Sequence, residues 1–318
     1  MVAADQTASH TADPGTLDPA ELALLAETFR KTMSAASGRV LDIALDQLGW
    51  RDLLASLPGV AIPMVFRLLG ETGAHAPILN DVMLCAAGRA PGDTVPLPYA
   101  GGSWVVWERS DLRSAALDGE LPLRPVPRGA TGAGPLPPLP LALGAGRRAV
   151  GWWLVGTGRA MLALARSHAL DRVQFGRPLA SFQAVRHRLA ETLVALEGAE
   201  AALAAADALA GASVAGGLAG ASAGASVAGG LAGASASAGG DELAALLAKA
   251  AAGQAALTAA RHCQQVLGGI GFTAEHGLNR HVRRALVLDG LLGSARELTR
   301  EAGARLVAER SAPRLVDL

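Results

Sequence analysis

The sequence predicts a mostly α-helical protein with a reduced β-region in its middle. The chain is 51% hydrophobic but only 3% aromatic, so its core must be built from Leu, Val and Ala, which suits closely packed helices. Apolar residues recur at spacings of three and four on both sides of the chain, as in Phe182, Val185, Leu189, Leu193 and Leu196. Prolines and glycines become dense between Pro91 and Gly146, and only short β-like runs interrupt them there.

Taken in order, residues 1–16 are polar and aperiodic and read as a disordered tail. Residues 17–90 read as an N-terminal helical domain. Asp18 can cap its first helix, Pro19 suits the first helical position, and Glu21 completes a capping box. Further helices are expected within Val40–Gly88, including Pro63–Leu69 and Pro77–Ala87, with Gly70 and Gly88 as stops. Residues 91–146 read as a reduced β-region and linker. Its strands are expected at Thr94–Pro98 and Trp104–Trp107, with a third at Leu121–Val126, and Gly129–Pro140 is too rich in Pro and Gly for regular structure. Residues 147–318 read as a C-terminal helical bundle. Helices are expected from about Arg147 to Asp171, from Ser181, from a cap at Asp241 to Leu267, and from Asn279 to Glu309 with a break at Gly290 or Gly293.

Inside that bundle, Gly211–Ser222 (GASVAGGLAGAS) recurs identically at Gly224–Ser235, a period of 13 residues. True repeat architectures use longer, divergent units. The Gly/Ala/Ser segment 211–240 therefore reads as a tandem duplication in a mobile surface loop, because Gly and Ser at this density disfavour helix and strand.

Lys and Arg number 28, as do Asp and Glu, so the net charge is zero. That argues against nucleic acid as the partner, since phosphate binding needs a positive surplus. Two cysteines, Cys85 and Cys263, exclude a disulfide framework and a four-thiolate zinc site, and no metal is expected. No secretory signal pattern opens the sequence. The uncharged apolar stretch near the first bundle helix, Ala149–Gly158, is too short for a bilayer. The expectation is a cytoplasmic protein with no membrane partner.

Two segments carry chemistry. Asp171–Gln183 (DRVQFGRPLASFQ) joins the first two bundle helices, and Gln264–Phe272 (QQVLGGIGF) follows the third. Alone, the first is a charged helix end and the second a glycine cap. Together, in this order and separation, they resemble the C-terminal domain of the acyl-CoA dehydrogenase family, whose pattern is Arg-x-x-Phe-Gly with a Gln seven residues on, then Gln-x-x-Gly-Gly-x-Gly. Thr273-Ala274-Glu275-His276 and Arg283-Arg284-Ala285 fit the stretch that follows. The resemblance is specific over Gly151–Ala304 and looser over Leu17–Gly88.

The resemblance implies an N-terminal helical domain, a middle β-domain and a C-terminal four-helix bundle, with FAD lying across a subunit interface. It implies that Arg172, Phe175, Gln183, Gln265, Gly268 and Gly269 contact the adenosine diphosphate half of an FAD bound mainly by a neighbouring subunit. The residue types suit this. Arginine offers a planar charged fork to pyrophosphate, phenylalanine a flat apolar face, and glycines allow close backbone approach.

The sequence departs from the family twice. The middle region lacks the segments that hold the flavin ring; Trp104-Val105-Val106-Trp107 reads as one half-buried strand. The catalytic carboxylate, which removes the α-proton of the acyl thioester, is also missing. The usual base position falls on Leu292, before Gly293-Ser294, and the alternative position on the first bundle helix falls at Gly146-Arg147-Arg148. Glu275 and then Asp289 are the fallback acids. His262 and His276 read as packing or surface groups, Trp152 and Trp153 as helix-packing aromatics, and both cysteines as buried thiols.

The expected function is thus a subunit of an FAD-dependent acyl-CoA dehydrogenase, the non-catalytic partner of a full-length subunit. The whole complex would dehydrogenate an acyl-CoA at the α,β-bond and pass electrons to an electron-transfer flavoprotein. A sterol-derived acyl group is expected by analogy alone. The alternatives are a self-sufficient homomeric dehydrogenase with an unusual base, and a flavin-free assembly protein on the same fold.

Overall fold

The computed structural model describes residues 18–109, 121–127, 138–222 and 227–310, with side chains outside 213–239. The expected tail at 1–16 and most of the irregular stretch from Gly129 lie outside the described residues.

Five helices form the N-terminal layer: α1 (Pro19–Ala35), α2 (Arg39–Gln47), α3 (Trp50–Ser56), α4 (Pro58–Thr72) and α5 (Leu79–Ala86). α1 opens as its sequence predicts. The Asp18 side chain accepts from the Ala20 amide at 3.4 Å, and Glu21 reaches back to the Asp18 amide at 3.3 Å. α4 begins earlier than Pro63, because Pro58 already occupies the first helical position, where a missing N–H costs nothing. Gly70 does not end α4. That role falls to Gly73, whose φ of 68° is left-handed.

Gly70 instead marks where α4 crosses the first bundle helix, α6 (Pro140–Asp171). A Cβ on Gly70 would lie 2.4 Å from the Thr157 amide nitrogen and the Trp153 carbonyl oxygen. A Cβ on Gly156 would lie 2.1 Å from the Arg67 carbonyl oxygen. The two backbones touch with no side chain between them.

The middle region is a three-stranded antiparallel sheet, β1 (Pro96–Tyr99), β2 (Ser103–Trp107) and β3 (Leu123–Pro125), with β2 central. Leu97 pairs with Val105 and Trp107 with Leu123, which turns these apolar residues inward together. Buried Asn80 ties α5 to the sheet by donating to the Trp107 carbonyl at 2.9 Å and accepting from the Val95 amide at 3.2 Å. Neighbouring Asp81 is fully buried and collects the Trp50 indole, the Gly92 amide and the Arg109 guanidinium. Trp107 stacks on Trp153 with centroids 5.5 Å apart and planes 19° from parallel. Phe66 meets the other side of Trp153 edge-on, so the packing reading of Trp153 holds.

The C-terminal bundle comprises α6, α7 (Gln183–Ser222), α8 (Val227–Leu267) and α9 (Gly277–Gly290), and α10 (Ala295–Glu309) packs on α8. Successive helices run antiparallel: Gly151 faces Leu203 and Gly158 faces Leu196 along α6 and α7. Three expectations are corrected here. The helix at Arg147 starts seven residues sooner, on Pro140. The Gly/Ala/Ser segment is not a loop, since α7 runs through the first repeat copy and α8 begins within the second. The physical reason is that a helix already nucleated and packed extends at low cost, and the alanines and leucines of the repeat offset its glycines. Asp241 is consequently no cap; it lies well inside α8.

Residues 240–272 also correct the bilayer argument. By length and composition they could cross a membrane, although 72% of the relevant window is buried in the bundle, as in a core helix.

α8 carries one fully buried cation, Lys249. Its amine donates to the carbonyl oxygens of Asp289, at 2.6 Å, and Gly293. These flank the break between α9 and α10, so Lys249 pins residues 290–294. Burial pushes this amine down to about 7, with Asp289 opposing the shift. A neutral amine still has two hydrogens for the two carbonyls.

Two measurements follow from this packing. Gly70→Ala and Gly156→Ala should each lose about 1–3 kcal/mol or more in urea unfolding. Gly198→Ala, in open space on α7, should instead gain up to about 1 kcal/mol; equal effects at all three would deny the crossing. The unfolded Lys249 amine titrates at 10.5 and the folded one at about 7. Between these values the unfolded chain holds the extra proton, so stability rises with pH by up to about 1.4 kcal/mol per unit. Lys249→Met should flatten that slope, and parallel pH profiles for the two proteins would refute it.

Candidate functional site

The two motif segments lie at one end of the bundle. α6 and α8 run parallel, so the α6–α7 and α8–α9 connections emerge side by side. One turn below them the helices are clamped, with the Arg188 guanidinium 3.1 Å from His262 Nε2 and Thr192 Oγ1 3.0 Å from His262 Nδ1. Across the end, burial and then the neighbouring His276 and Arg172 hold His168 below its ordinary value.

The first connection is a small hairpin of β4 (Val173–Gln174) and β5 (Arg177–Pro178). Val173 pairs with Pro178 and Gln174 with Arg177, leaving Phe175-Gly176 as a two-residue turn. Both turn residues have positive φ, 53° and 76°, as the hairpin turn that suits strand twist requires. Asparagine or aspartate is the usual first residue of such a turn. Phenylalanine there is strained by roughly 1–2 kcal/mol, and its side chain is 91% exposed. Folding gains little from so exposed a placement, in which the ring meets Phe182 edge-on at 6.2 Å. The Arg177 guanidinium covers the Phe182 ring at 4.2 Å.

Arg172 and Gln183 are exposed at the base of this hairpin, Arg172 as the C-cap of α6 and Gln183 as the first residue of α7. In the second connection, residues Gly268–Phe272 form a short turn of 3-10 helix. Gly268 has φ of 63°, and no atom lies within 4 Å of a Cβ built on Gly268 or Gly269. Gln265 and Gly269 are exposed. An exposed guanidinium, an exposed aromatic face and uncovered glycine backbone are the right donor set for a nucleotide pyrophosphate and ring approaching from outside. Of the six predicted contact residues, Arg172, Phe175, Gln183, Gln265 and Gly269 are exposed at this end and Gly268 is half-buried.

The second part of the site lies along α6. Leu292 is 1% exposed and, unusually for leucine, has φ of 59°. Its amide donates to the Pro98 carbonyl at 2.8 Å, and its carbonyl accepts from Arg147 Nε at 3.3 Å. Arg147 belongs to the Gly146-Arg147-Arg148 stretch on which the alternative base position falls, but no contact with Leu292 was expected of it. It is buried, with its guanidinium lowered by burial against the pull of Glu301. Its burial at the head of an apolar helix, beside Arg148, was the available signal.

The two positions at which the resemblance places a catalytic carboxylate, Gly146 and Leu292, meet in space. A Cβ on Gly146 would stand 2.8 Å from Leu292 Cδ1 and 2.4 Å from Met83 Sδ. Among the described residues, the atoms nearest that point belong to Met83 and Leu292. Glu275 sits exposed before α9, at the motif end. Asp289 is engaged as a cap, accepting from the Ala295 amide at 3.0 Å. His276 caps α9 through its ring nitrogen. Cys263 is buried and its thiol is pushed up to about 12, whereas Cys85 is only half-buried, which corrects the reading of both as buried thiols.

Comparison with known proteins agrees with this layout. Acyl-CoA dehydrogenase FadE34 of Mycobacterium tuberculosis is 34% identical over 140 residues, 44% of this chain and 16% of that protein. Acyl-CoA dehydrogenase IpdE2 of the same organism is 32% identical over 146 residues, 46% of this chain and 36% of that protein. The chain therefore matches well under two thirds of the length of these relatives. Among solved structures, a variant of the Tcur3481–Tcur3483 steroid ACAD superposes with a TM-score of 0.59 at 19% identity, over 92% of this chain and 99% of the other. The ChsE4–ChsE5 complex from Mycobacterium tuberculosis gives 0.55 at 19% identity, over 94% and 100%. Butyryl-CoA dehydrogenase from Megasphaera elsdenii gives 0.56 at 15%, over 92% and 99%. At these identities the superpositions establish the fold. The family described as acyl-CoA dehydrogenase, C-terminal domain, matches residues 141–307, more than half of the sequence, and the chain belongs to the acyl-CoA dehydrogenase family.

Proposed function

We propose that this chain is the non-catalytic subunit of a heteromeric, FAD-dependent acyl-CoA dehydrogenase, completing from across an interface an FAD site held mainly by a full-length partner. The observation that carries this reading is the opposite fate of the two halves of the site. The nucleotide-contact residues are kept and turned outward, while both carboxylate positions are packed shut by Leu292, Met83 and Gly146.

Each residue has a defined part in this reading. The Arg172 guanidinium neutralises the cofactor's pyrophosphate, and Phe175 presents its exposed ring to the adenosine side. Gln183 and Gln265 supply amide hydrogen bonds, and Gly268 and Gly269 let their backbone approach. FAD, when bound, accepts the β-hydride of the acyl-CoA. Neither Gly146 nor Leu292 can take the α-proton, so on this reading the partner supplies that base. Electrons then leave through an electron-transfer flavoprotein. The names of the Tcur3481–Tcur3483 steroid ACAD and of the ChsE4–ChsE5 complex support a paired assembly and a steroid-derived acyl group for such a subunit. The assembly is expected in the cytoplasm.

The test is the visible flavin absorbance of this chain purified alone and after co-expression with a full-length acyl-CoA dehydrogenase. The expected result is a colourless lone chain and a yellow complex with about one FAD per pair of chains; a yellow lone chain that oxidises acyl-CoA would overturn the reading. Within the complex, Arg172→Ala should lower flavin content with little effect on folding. Phe175→Asn should split two readouts, making the turn more stable by up to about 1 kcal/mol while flavin is lost. Unchanged flavin content in both variants would remove these residues from the site.

A further inference from the structure

A cavity of ≈ 510 Å³ opens between α3, α4 and α5 on one side and the head of α6 with the Asp241–Glu242 stretch inside α8 on the other. Its volume is in the range of small-molecule sites. Gly146, Met83 and Leu292 do not line it, nor do the outward-facing nucleotide residues at the other end of the bundle. Its walls are mainly apolar, with Leu54, Ile62, Val82 and Leu141 prominent.

One end of the cavity is polar. Arg148 Nε lies 3.0 Å from Asp207, which also accepts from the Trp152 indole at 2.7 Å. Asp241 lines the cavity beside them, only 8% exposed, and its Oδ1 has no hydrogen-bond partner. A buried acceptor without a donor is costly and rare. Asp207 accepts from the Trp152 indole and pairs by charge with Arg148, whose Nε itself makes no hydrogen bond. Asp241 has no such donor, and the cavity it lines is where one can be supplied. Burial raises the Asp241 carboxyl, with Arg148 opposing the shift.

We propose that this cavity is a binding site for an uncharged, largely apolar molecule bearing a hydroxyl group, which donates to Asp241 Oδ1. A neutral ligand is favoured because the charged side chains that line the cavity, Arg89 and Arg148 against Asp241 and Glu242, already balance. The apolar walls take the body of the molecule, and a hydroxyl is the smallest group that can satisfy the orphaned acceptor. The proposal does not depend on the flavin-binding role, and its test needs no flavin and no partner.

Cys85 provides the readout, since it lines the cavity and is half-buried. Cys263 is fully buried, so only one thiol should react with N-ethylmaleimide, followed by intact mass. The probes are decahydro-2-naphthol and its methyl ether, which match in shape but differ in the donor. The alcohol should slow Cys85 alkylation in the full-length chain, and the ether should need about tenfold higher concentration for equal protection. In Asp241→Leu, Cys85 should be protected equally by both compounds. No protection by the alcohol at its solubility limit, or equal protection by alcohol and ether in the unsubstituted chain, would overturn the proposal. The alcohol–ether comparison stands even if the variant fails to fold.

Discussion

The architecture depends on one contact, the crossing of α4 and α6 at Gly70 and Gly156. Backbone touches backbone there, and no other residue would permit it. Close approach sets the depth at which Trp153 enters the N-terminal layer, and thus its position between Phe66 and Trp107. Trp107 in turn sets the sheet over α5, where Asn80 donates to the Trp107 carbonyl and accepts from the Val95 amide. Four aromatic residues, Trp50, Phe66, Trp153 and Trp107, stand in one column that joins helical layer, sheet and bundle at one place. The crossing works as a hinge pin would, and the surrounding alanines follow from it, since short side chains are what closely spaced helices admit.

From that frame the two halves of the site differ in a physically informative way. At the motif end, the chain bears strain and exposure that folding does not reward: a left-handed, solvent-facing phenylalanine above bare glycines. At the base position, the chain also keeps an uncommon backbone, Leu292 with positive φ, yet fills the space with hydrocarbon. The hydrogen bonds from Leu292 to Pro98 and from Arg147, with Lys249 beneath, hold this loop in place. Uncommon backbone persists at both places, beside exposed polar groups and bare backbone in one and beside hydrocarbon in the other.

Much of this was legible in the residues. The capping box at Asp18, the strands around Trp104–Trp107 and the breaks near Gly290 follow from local rules, and local rules suffice where neighbours in sequence decide the structure. The motif residues were legible because their spacing is preserved across a connection whose geometry is local too. What could not be read were events set by distant partners. Gly70 looks like a stop until α6 lies against it. Asp241 looks like a cap until the helix before it is seen to continue. Gly146 and Leu292 are 146 positions apart and meet only in the folded chain, and nothing in either segment announces Met83 as the third member. The glycine-rich repeat was misread because propensity was summed without the helices already formed on either side of it.

That repeat has a consequence for how the chain can vary in length. Its two copies straddle the tip of the α7–α8 hairpin, the first in the descending arm and the second largely in the ascending one. Each copy is 12 residues long, about 18 Å of helix. A single unequal exchange at the DNA level thus adds or removes one unit at this end of the hairpin, as a ladder gains a section at its end. The contact of Thr192 with His262 lies well below that point on both arms, so its register does not depend on how many units stand above it.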